Sequence, residues 1–214
     1  MEFKDTEVWG FRHALYGMRM PMQSWAKADS KYIHDPVEKG FVIGNADMNL
    51  AHRLIKGGSE HCKFLRMIHV GVVVVAPRYI WSELDTYHFN TKNSESTMHR
   101  LLADKNPLTR DNFQLVDKEL DLYDDEISFI NLLKIEYQKP SVDKHRLLRI
   151  AKAKLPEGFL QARMLDTNYA ELRNMYFQRR NHRLPEWNTD FVNWIKTLPY
   201  AEELIMYEGD VDEK

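Results

Sequence analysis

Residues 67–77 read MIHVGVVVVAP, a β-branched run closed by proline. Four consecutive valines with no polar residue among them predict a strand buried on both faces. Pro77 stands where a helix begins, and Tyr79, Ile80, Leu84 and Tyr87 recur at helical spacing after it, with Trp81, Asp85 and His88 on a neighbouring face. Upstream, residues 45–57 read as a helix, because Met48, Ala51, Leu54 and Ile55 share one face and Gly57-Gly58 supplies a C-terminal stop. Before it, GMRMPMQSW places Pro21 between two Met-flanked stretches and suits an extended or turning segment.

Downstream of residue 90 the pattern is mostly helical. TKNSES reads as a polar loop, with Ser94 or Ser96 as N-cap of STMHRLLA. Residues 112–136 carry an apolar stripe among charges, predicting one or two amphipathic helices with a break at LYDDE. A further helix spans 143–155 and stops at Leu155-Pro156. The last large helix begins near Asp166-Thr167, either of which can cap it, and runs to Pro185. Trp187, Phe191, Trp194 and Ile195 add another apolar face. One valine-rich strand among many helices gives an α+β class, a single helix-rich domain over residues 1–201. Residues 202–214 form an acidic tail expected to fray into solvent.

Composition narrows the function classes. With 214 residues, 43% of them hydrophobic, and with 10 Phe, 10 Tyr and 5 Trp, the chain has the material for a core of ordinary size and is not disordered. Its formal charge of -2 supplies no global attraction to nucleic acid or anionic lipid, so no nucleic-acid partner is expected and any anion site is local. The single cysteine, Cys62, excludes an internal disulfide framework and a multi-thiolate metal centre, which suits a reducing cytoplasm. No apolar run approaches the roughly 20 residues of a membrane helix, and MEFKDTEVWG lacks the pattern of a signal peptide. A cytoplasmic protein without membrane contact is the expectation.

Several residues carry chemistry. Arg173, Arg179, Arg180, His182 and Arg183 concentrate positive charge on and beyond the last large helix. Arg179 points about 100 degrees from Arg180, so two surfaces are served. That cluster is either a solvated, ion-paired face or a phosphate clamp, for which guanidinium forks are well suited. Asn93-Ser94-Glu95-Ser96-Thr97 offers hydroxyls and backbone N–H groups at a helix start. His61, Cys62 and His69 lack the paired spacing of a zinc site, and no metal is expected. Glu83 and Asp85 near His88 have the residue types for acid-base work but equally those of a solvated helix face.

Read together, three stretches resemble the flavin-dependent thymidylate synthases, over roughly residues 45–195. SEHCKFLRMIHVGVVVVAP is similar to the family's G-H segment and the strand that ends at Ala-Pro, with His61 at the motif's histidine. The signature R-H-R-x-x-S-x-N-E-x-S-x-R falls on TYHFNTKNSESTM, where Asn93 and Ser96 match and Thr91 keeps a hydroxyl. Thr86, Tyr87 and His88 stand in place of R-H-R, Ser94 in place of glutamate and Met98 in place of the final arginine. LPEGFLQARMLDTNYAELRNMYFQRRNHRLPEW looks like the C-terminal block, with Thr167, Asn168, Asn174 and Arg179 matching.

The resemblance implies an α+β fold with a small, mainly antiparallel sheet, and FAD as cofactor, with NADPH and methylenetetrahydrofolate as co-substrates. It further implies a pyrimidine deoxynucleotide substrate and a homotetramer with shared active sites. It places His61, Asn93, Asn168 and Asn174 toward flavin and Ser96 and Arg179 toward the nucleotide. The implied reaction is reductive methylation of a deoxyuridine nucleotide, in which flavin supplies hydride and no enzyme thiolate is needed. The alternatives are a nucleotide- or flavin-binding protein without turnover, toward which the missing R-H-R points, and an interaction protein with aromatic surfaces.

Overall fold

In the computed structural model, which describes residues 1–34, 39–116 and 121–209, the chain begins with a strand, β1 (Glu2–Trp9), and a helix, α1 (Phe11–Met18). A hairpin of β2 (Lys31–His34) and β3 (Lys39–Val42) leads to α2 (Asn45–Lys56). Then come β4 (His69–Pro77), α3 (Arg78–Leu84), β5 (Thr91–Ser94), α4 (Thr97–Arg100), α5 (Asp124–Tyr137) and α6 (Lys144–Lys154). The chain closes with β6 (Leu160–Asn168), α7 (Tyr169–Arg179) and α8 (Val192–Lys196). One sheet has the order β1-β4-β6-β5, and β2 pairs antiparallel with β3, Tyr32 opposite Phe41. The helix-rich α+β class is therefore as expected from the sequence.

Two compact units emerge. The first comprises Met1–Glu2, Val73–Thr86 and Lys92–Met164, the second Phe3–Val72, Tyr87–Thr91 and Leu165–Lys214. In the first unit Leu101, Leu102, Phe113, Ile130, Ala151 and Leu155 form a buried cluster, onto which Ile127, Leu147 and Phe159 pack. Trp81 is buried and donates its indole N–H to the Gln161 carbonyl at 2.9 Å. In the second unit Phe11 meets Tyr169 and Tyr200 edge-on. Both hydroxyls find main-chain partners, Tyr169 donating to the Pro199 carbonyl and Tyr200 to that of Phe41. Satisfied in this way, tyrosines bury their rings without an orphaned polar atom.

The start of α2 shows how local chemistry sets a helix. Its N-cap is Gly44, which has no side chain to offer, and Asp29 caps from a distance instead. The Asp29 carboxylate accepts from the N–H groups of Ala46 at 2.8 Å and Asp47 at 3.0 Å. The Ala46 bond, first of all, holds its carboxyl below the ordinary aspartate range. A Cβ at Gly44 would collide with that carboxylate. One turn in, Asp47 is buried and collects the guanidinium of Arg19 together with the Ser30 hydroxyl and main-chain N–H groups of Asp29 and Ser30. The segment of residues 19–30, which turns twice through short 3-10 helices, is thus fastened to α2 through one carboxylate. Gly10 has φ +98, a conformation that favours glycine, and a Cβ there would strike the Met67 carbonyl oxygen.

Five local expectations are corrected. β4 alternates rather than being buried on both faces, with Val72 and Val74 fully buried and Val73 and Val75 half-buried. Thr91–Ser94, expected as loop, is β5. LYDDE opens α5 rather than breaking a helix, since three acidic residues suit a helix N-terminus. The last large helix is shorter: Asn168, at the end of the strand Leu160–Asn168, caps α7 in place of Asp166 or Thr167, and the helix ends at Arg179, before Pro185. Residues 202–209 do not fray: Ala201–Ile205 is a helical turn with Leu204 and Ile205 fully buried. The remainder of the expected tail, 210–214, lies outside the described residues, as do 117–120 within the predicted 112–136 helical stretch.

Candidate functional site

The extended backbone of β6 ends at Asn168, whose side-chain oxygen accepts from the Glu171 N–H at 3.0 Å and so starts α7. Ala170, Arg173, Asn174 and Phe177 follow at i, i+3, i+4 and i+7, which places them along one face. That face and Asn168 line a cleft of about 430 Å³ in the second unit. Across it stand Ile55, Leu65, Cys62, Arg66 and Phe89. The volume falls within the range of small-molecule sites, and the mixture of apolar wall with a few polar groups is typical of them.

Two guanidinium groups, each resting on an aromatic ring, and the buried carboxylate of Glu171 set the electrostatics. The Arg66 guanidinium lies 5.6 Å from the centre of Phe89 and that of Arg173 lies 4.6 Å from the centre of Phe177. Arg173 also donates to the carbonyls of Ile205 at 2.9 Å and Tyr207 at 2.6 Å. Burial pushes its pKa below the ordinary arginine value, opposed by the nearby Cys62 and Glu208. A guanidinium still keeps its charge at any physiological pH. The Asn174 amide is exposed and accepts from Gln178 Nε2 at 2.8 Å through its oxygen, which leaves its NH2 as a donor. Asn168 is more committed, with its oxygen on the helix cap and its NH2 directed at the Phe89 carbonyl, 3.5 Å away. Aromatic rings, amide donors and cations in one cleft suit a flat heteroaromatic ligand bearing carbonyl oxygens or negative charge.

The other residues singled out from the sequence lie elsewhere. Arg179 lies about 180 degrees round α7 from the Asn174 face, directed into packing. Its Nε donates to the Tyr87 hydroxyl at 2.8 Å and its guanidinium stands 4.8 Å from the centre of Trp187. Arg180 pairs with Glu208. His61 is exposed and lines a different hollow, with Arg19, Arg53 and Leu54. Asn93 is an exposed residue of β5 in the first unit. Ser96, also in the first unit, caps α4 by accepting from the His99 N–H and lines a cleft of about 450 Å³ with Arg100, Lys134 and Gln161. So the fold brings Asn168 and Asn174 to one cavity and disperses the remainder.

Sequence reasoning passed over Arg66 and Phe89, and it read Arg173 only as part of a charge run. The i, i+3, i+4, i+7 pattern through Ala170, Arg173, Asn174 and Phe177 carried the signal for Arg173. Lys134 in the Ser96 cleft was also missed. It is 6% exposed, and burial lowers its pKa while Asp104 nearby opposes that shift. Its place four residues after the fully buried Ile130 is the trace it leaves in the sequence.

No family model matches the sequence, and no curated protein matches it. The backbone nevertheless defines a class, the fold of the flavin-dependent thymidylate synthases of ThyX type. The chain superposes on thymidylate synthase X from Helicobacter pylori, solved with FAD and dUMP, with a TM-score of 0.70 and 19% identity, covering 96% of this chain and 97% of that one. A second structure of the flavin-dependent enzyme from the same organism, also complexed with FAD and dUMP, gives 0.68 at 18% identity, covering 95% and 98%. The UMP/dUMP methylase PolB from Streptomyces cacaoi, bound with 5-Br dUMP, gives 0.56 at 17% identity over 96% and 93% of the two chains. At these identities the likeness establishes the fold alone.

Proposed function

We propose that this chain is a divergent member of the flavin-dependent thymidylate synthase family, binding FAD and a pyrimidine deoxynucleotide. Its reaction in this reading is reductive methylation of a deoxyuridine nucleotide, with methylenetetrahydrofolate as carbon donor and NADPH as reductant. The observation that carries the reading is the convergence of Asn168 and Asn174, which the family resemblance places toward flavin, on one cleft in a chain of this fold. The cleft fits part of a flavin: Asn174 offers an NH2 donor to ring carbonyls, and Arg173 a half-buried positive charge. Phe89 and Phe177 offer aromatic rings, and Ile55 and Leu65 an apolar wall. FAD, when bound, supplies hydride transfer. Asn93 and His61 are further proposed flavin contacts, Ser96 and Arg179 proposed nucleotide contacts, and a homotetramer in the cytoplasm the proposed assembly. Among the described residues no helix is long and apolar enough to cross a membrane.

A second reading, a flavin- or nucleotide-binding protein without turnover, is favoured by one specific observation. Tyr87, standing where the signature has histidine, is buried and spends its hydroxyl on Gln178 and Arg179. The test is direct. Purified protein is titrated with FAD, then supplied with dUMP, methylenetetrahydrofolate and NADPH, and assayed for dTMP. Flavin binding with product formation supports the enzyme, flavin binding without product supports the second reading, and no binding at 100 µM FAD overturns both flavin readings.

A further inference from the structure

A second concavity, of about 640 Å³, opens against α2 in the second unit and is lined by Lys27, Asn49, His52, Arg53 and Lys56, with Arg19 and Tyr207. Asn49, Arg53 and Lys56 recur at i, i+4 and i+7, whereas Ile55, which lines the Asn168–Asn174 cleft, points to another side of the helix. Arg19 is structural: it is 3% exposed and committed to Asp47 and to the carbonyls of Ser24 and Lys27. Lys27, Arg53 and Lys56 are exposed, and no carboxylate lines the hollow. Among the described residues neither Lys27 nor Arg53 has a carboxylate within 4.0 Å. In a chain of net charge -2, this is a strong local departure.

A helix C-terminus accounts for two of these cations, since Arg53 and Lys56 fall in the last turn of α2 and complement its dipole. It does not account for Lys27, which comes from a separate segment. Nor does it account for His52, whose ring stacks on Tyr207 with centroids 3.8 Å apart. The Nε2 of His52 is buried with no hydrogen-bond partner among the described residues, an uncommon state for a polar atom in a folded protein.

We propose that this hollow binds a small ligand carrying a chain of two or three phosphate groups, distinct from the occupant of the Asn168–Asn174 cleft. The hollow, about 640 Å³, has more room than one phosphate fills, Lys27 and Arg53 bring cations from two separate segments, and the Arg53 guanidinium can take two phosphate oxygens at once. Asn49 adds a neutral donor at the rim, and the His52–Tyr207 pair forms the aromatic wall.

Sodium tripolyphosphate and pyrophosphate are titrated into the full chain at low ionic strength by calorimetry, with citrate as a carboxylate of comparable charge. Histidine ring resonances are followed by NMR. The expected result is saturable binding, tripolyphosphate tighter than pyrophosphate and at least tenfold tighter than citrate. Arg53→Glu and Lys27→Glu should each weaken it tenfold or more, Lys139→Glu should leave it unchanged, and the His52 signals should move. Equal binding of citrate, undiminished binding by both charge-reversed variants, or a silent His52 would each overturn the assignment. Because tripolyphosphate binding is read without flavin, this outcome is independent of whether the flavin reading succeeds.

Discussion

Arg179 and Tyr87 are joined by a 2.8 Å bond from guanidinium Nε to phenol oxygen, and the same guanidinium carbon stands 5.5 Å from the centre of the Tyr87 ring. With Trp187 4.8 Å away, the cation is held among aromatic surfaces rather than presented to solvent. Arg179→Ala is therefore expected to lower stability by about 1–2 kcal/mol, through the lost hydrogen bond and cation–π contact. Arg180→Ala, which removes an exposed pair with Glu208, should leave the melting temperature nearly unchanged. Thermal melts of both variants test this. Measuring dUMP affinity of the folded variants separately tests the proposed nucleotide contact, which equal binding by Arg179→Ala and the parent would remove.

The two cleft asparagines should separate in their effects. Asn174→Ala is expected to weaken FAD binding by roughly 1 kcal/mol, about fivefold, without changing the melting temperature, since its bond to Gln178 is an exposed one. Asn168→Ala should also cost about 1 kcal/mol of stability, because it removes the N-cap of α7. Flavin fluorescence titration alongside urea unfolding distinguishes them.

Asp47 is 1% exposed and faces a guanidinium that is 3% exposed. Asp47→Asn strands that charge and is expected to cost about 3 kcal/mol or more, read as a fall in the urea midpoint. Arg19→Met with Asp47→Leu should recover part of the loss, but not all of it, because the Asp29 and Ser30 N–H groups also need that carboxylate. Full additivity of the two single changes would argue against a coupled pair.

Lys134 makes a prediction about pH. Burial lowers its pKa below the 10.5 of an ordinary lysine, so between the folded and unfolded values the unfolded chain binds more protons. Stability contributed by this group therefore increases as pH rises through that window, and the burden of the buried charge is greatest below it. Lys134→Met should raise stability at pH 7 by about 1 kcal/mol, an advantage that shrinks toward pH 10. Chemical denaturation at pH 7, 8.5 and 10 checks it, and a constant difference between parent and variant would contradict the assignment.

What was legible in the sequence followed from periodicity and turn chemistry. The α2 boundary at Gly57, the Ser96 cap of α4 and the Pro156 stop after α6 are local signals, complete within a few residues. The missed features depend on partners distant in the chain. Leu160–Asn168 carries no clean alternation, and its strand state is decided by its place in the sheet. Leu204 and Ile205 sit among acidic residues that dominate composition, yet two apolar side chains sealed in the core outweigh the solvation of flanking charges. At the candidate site, motif order pointed to Asn168 and Asn174, which line one cleft. The commitment of Arg179 to Tyr87, 92 positions earlier, was not.

The grip of Arg173 on the carbonyls of Ile205 and Tyr207 has an evolutionary corollary. Those acceptors belong to the main chain, so replacing the side chains at 205 or 207 does not delete them while the turn keeps its course. The charge environment at that end of the cleft is written in the route of the polypeptide and not in its lettering. Point substitutions in this segment can accumulate without rewiring Arg173, whereas a one-residue insertion or deletion there would shift both oxygens at once.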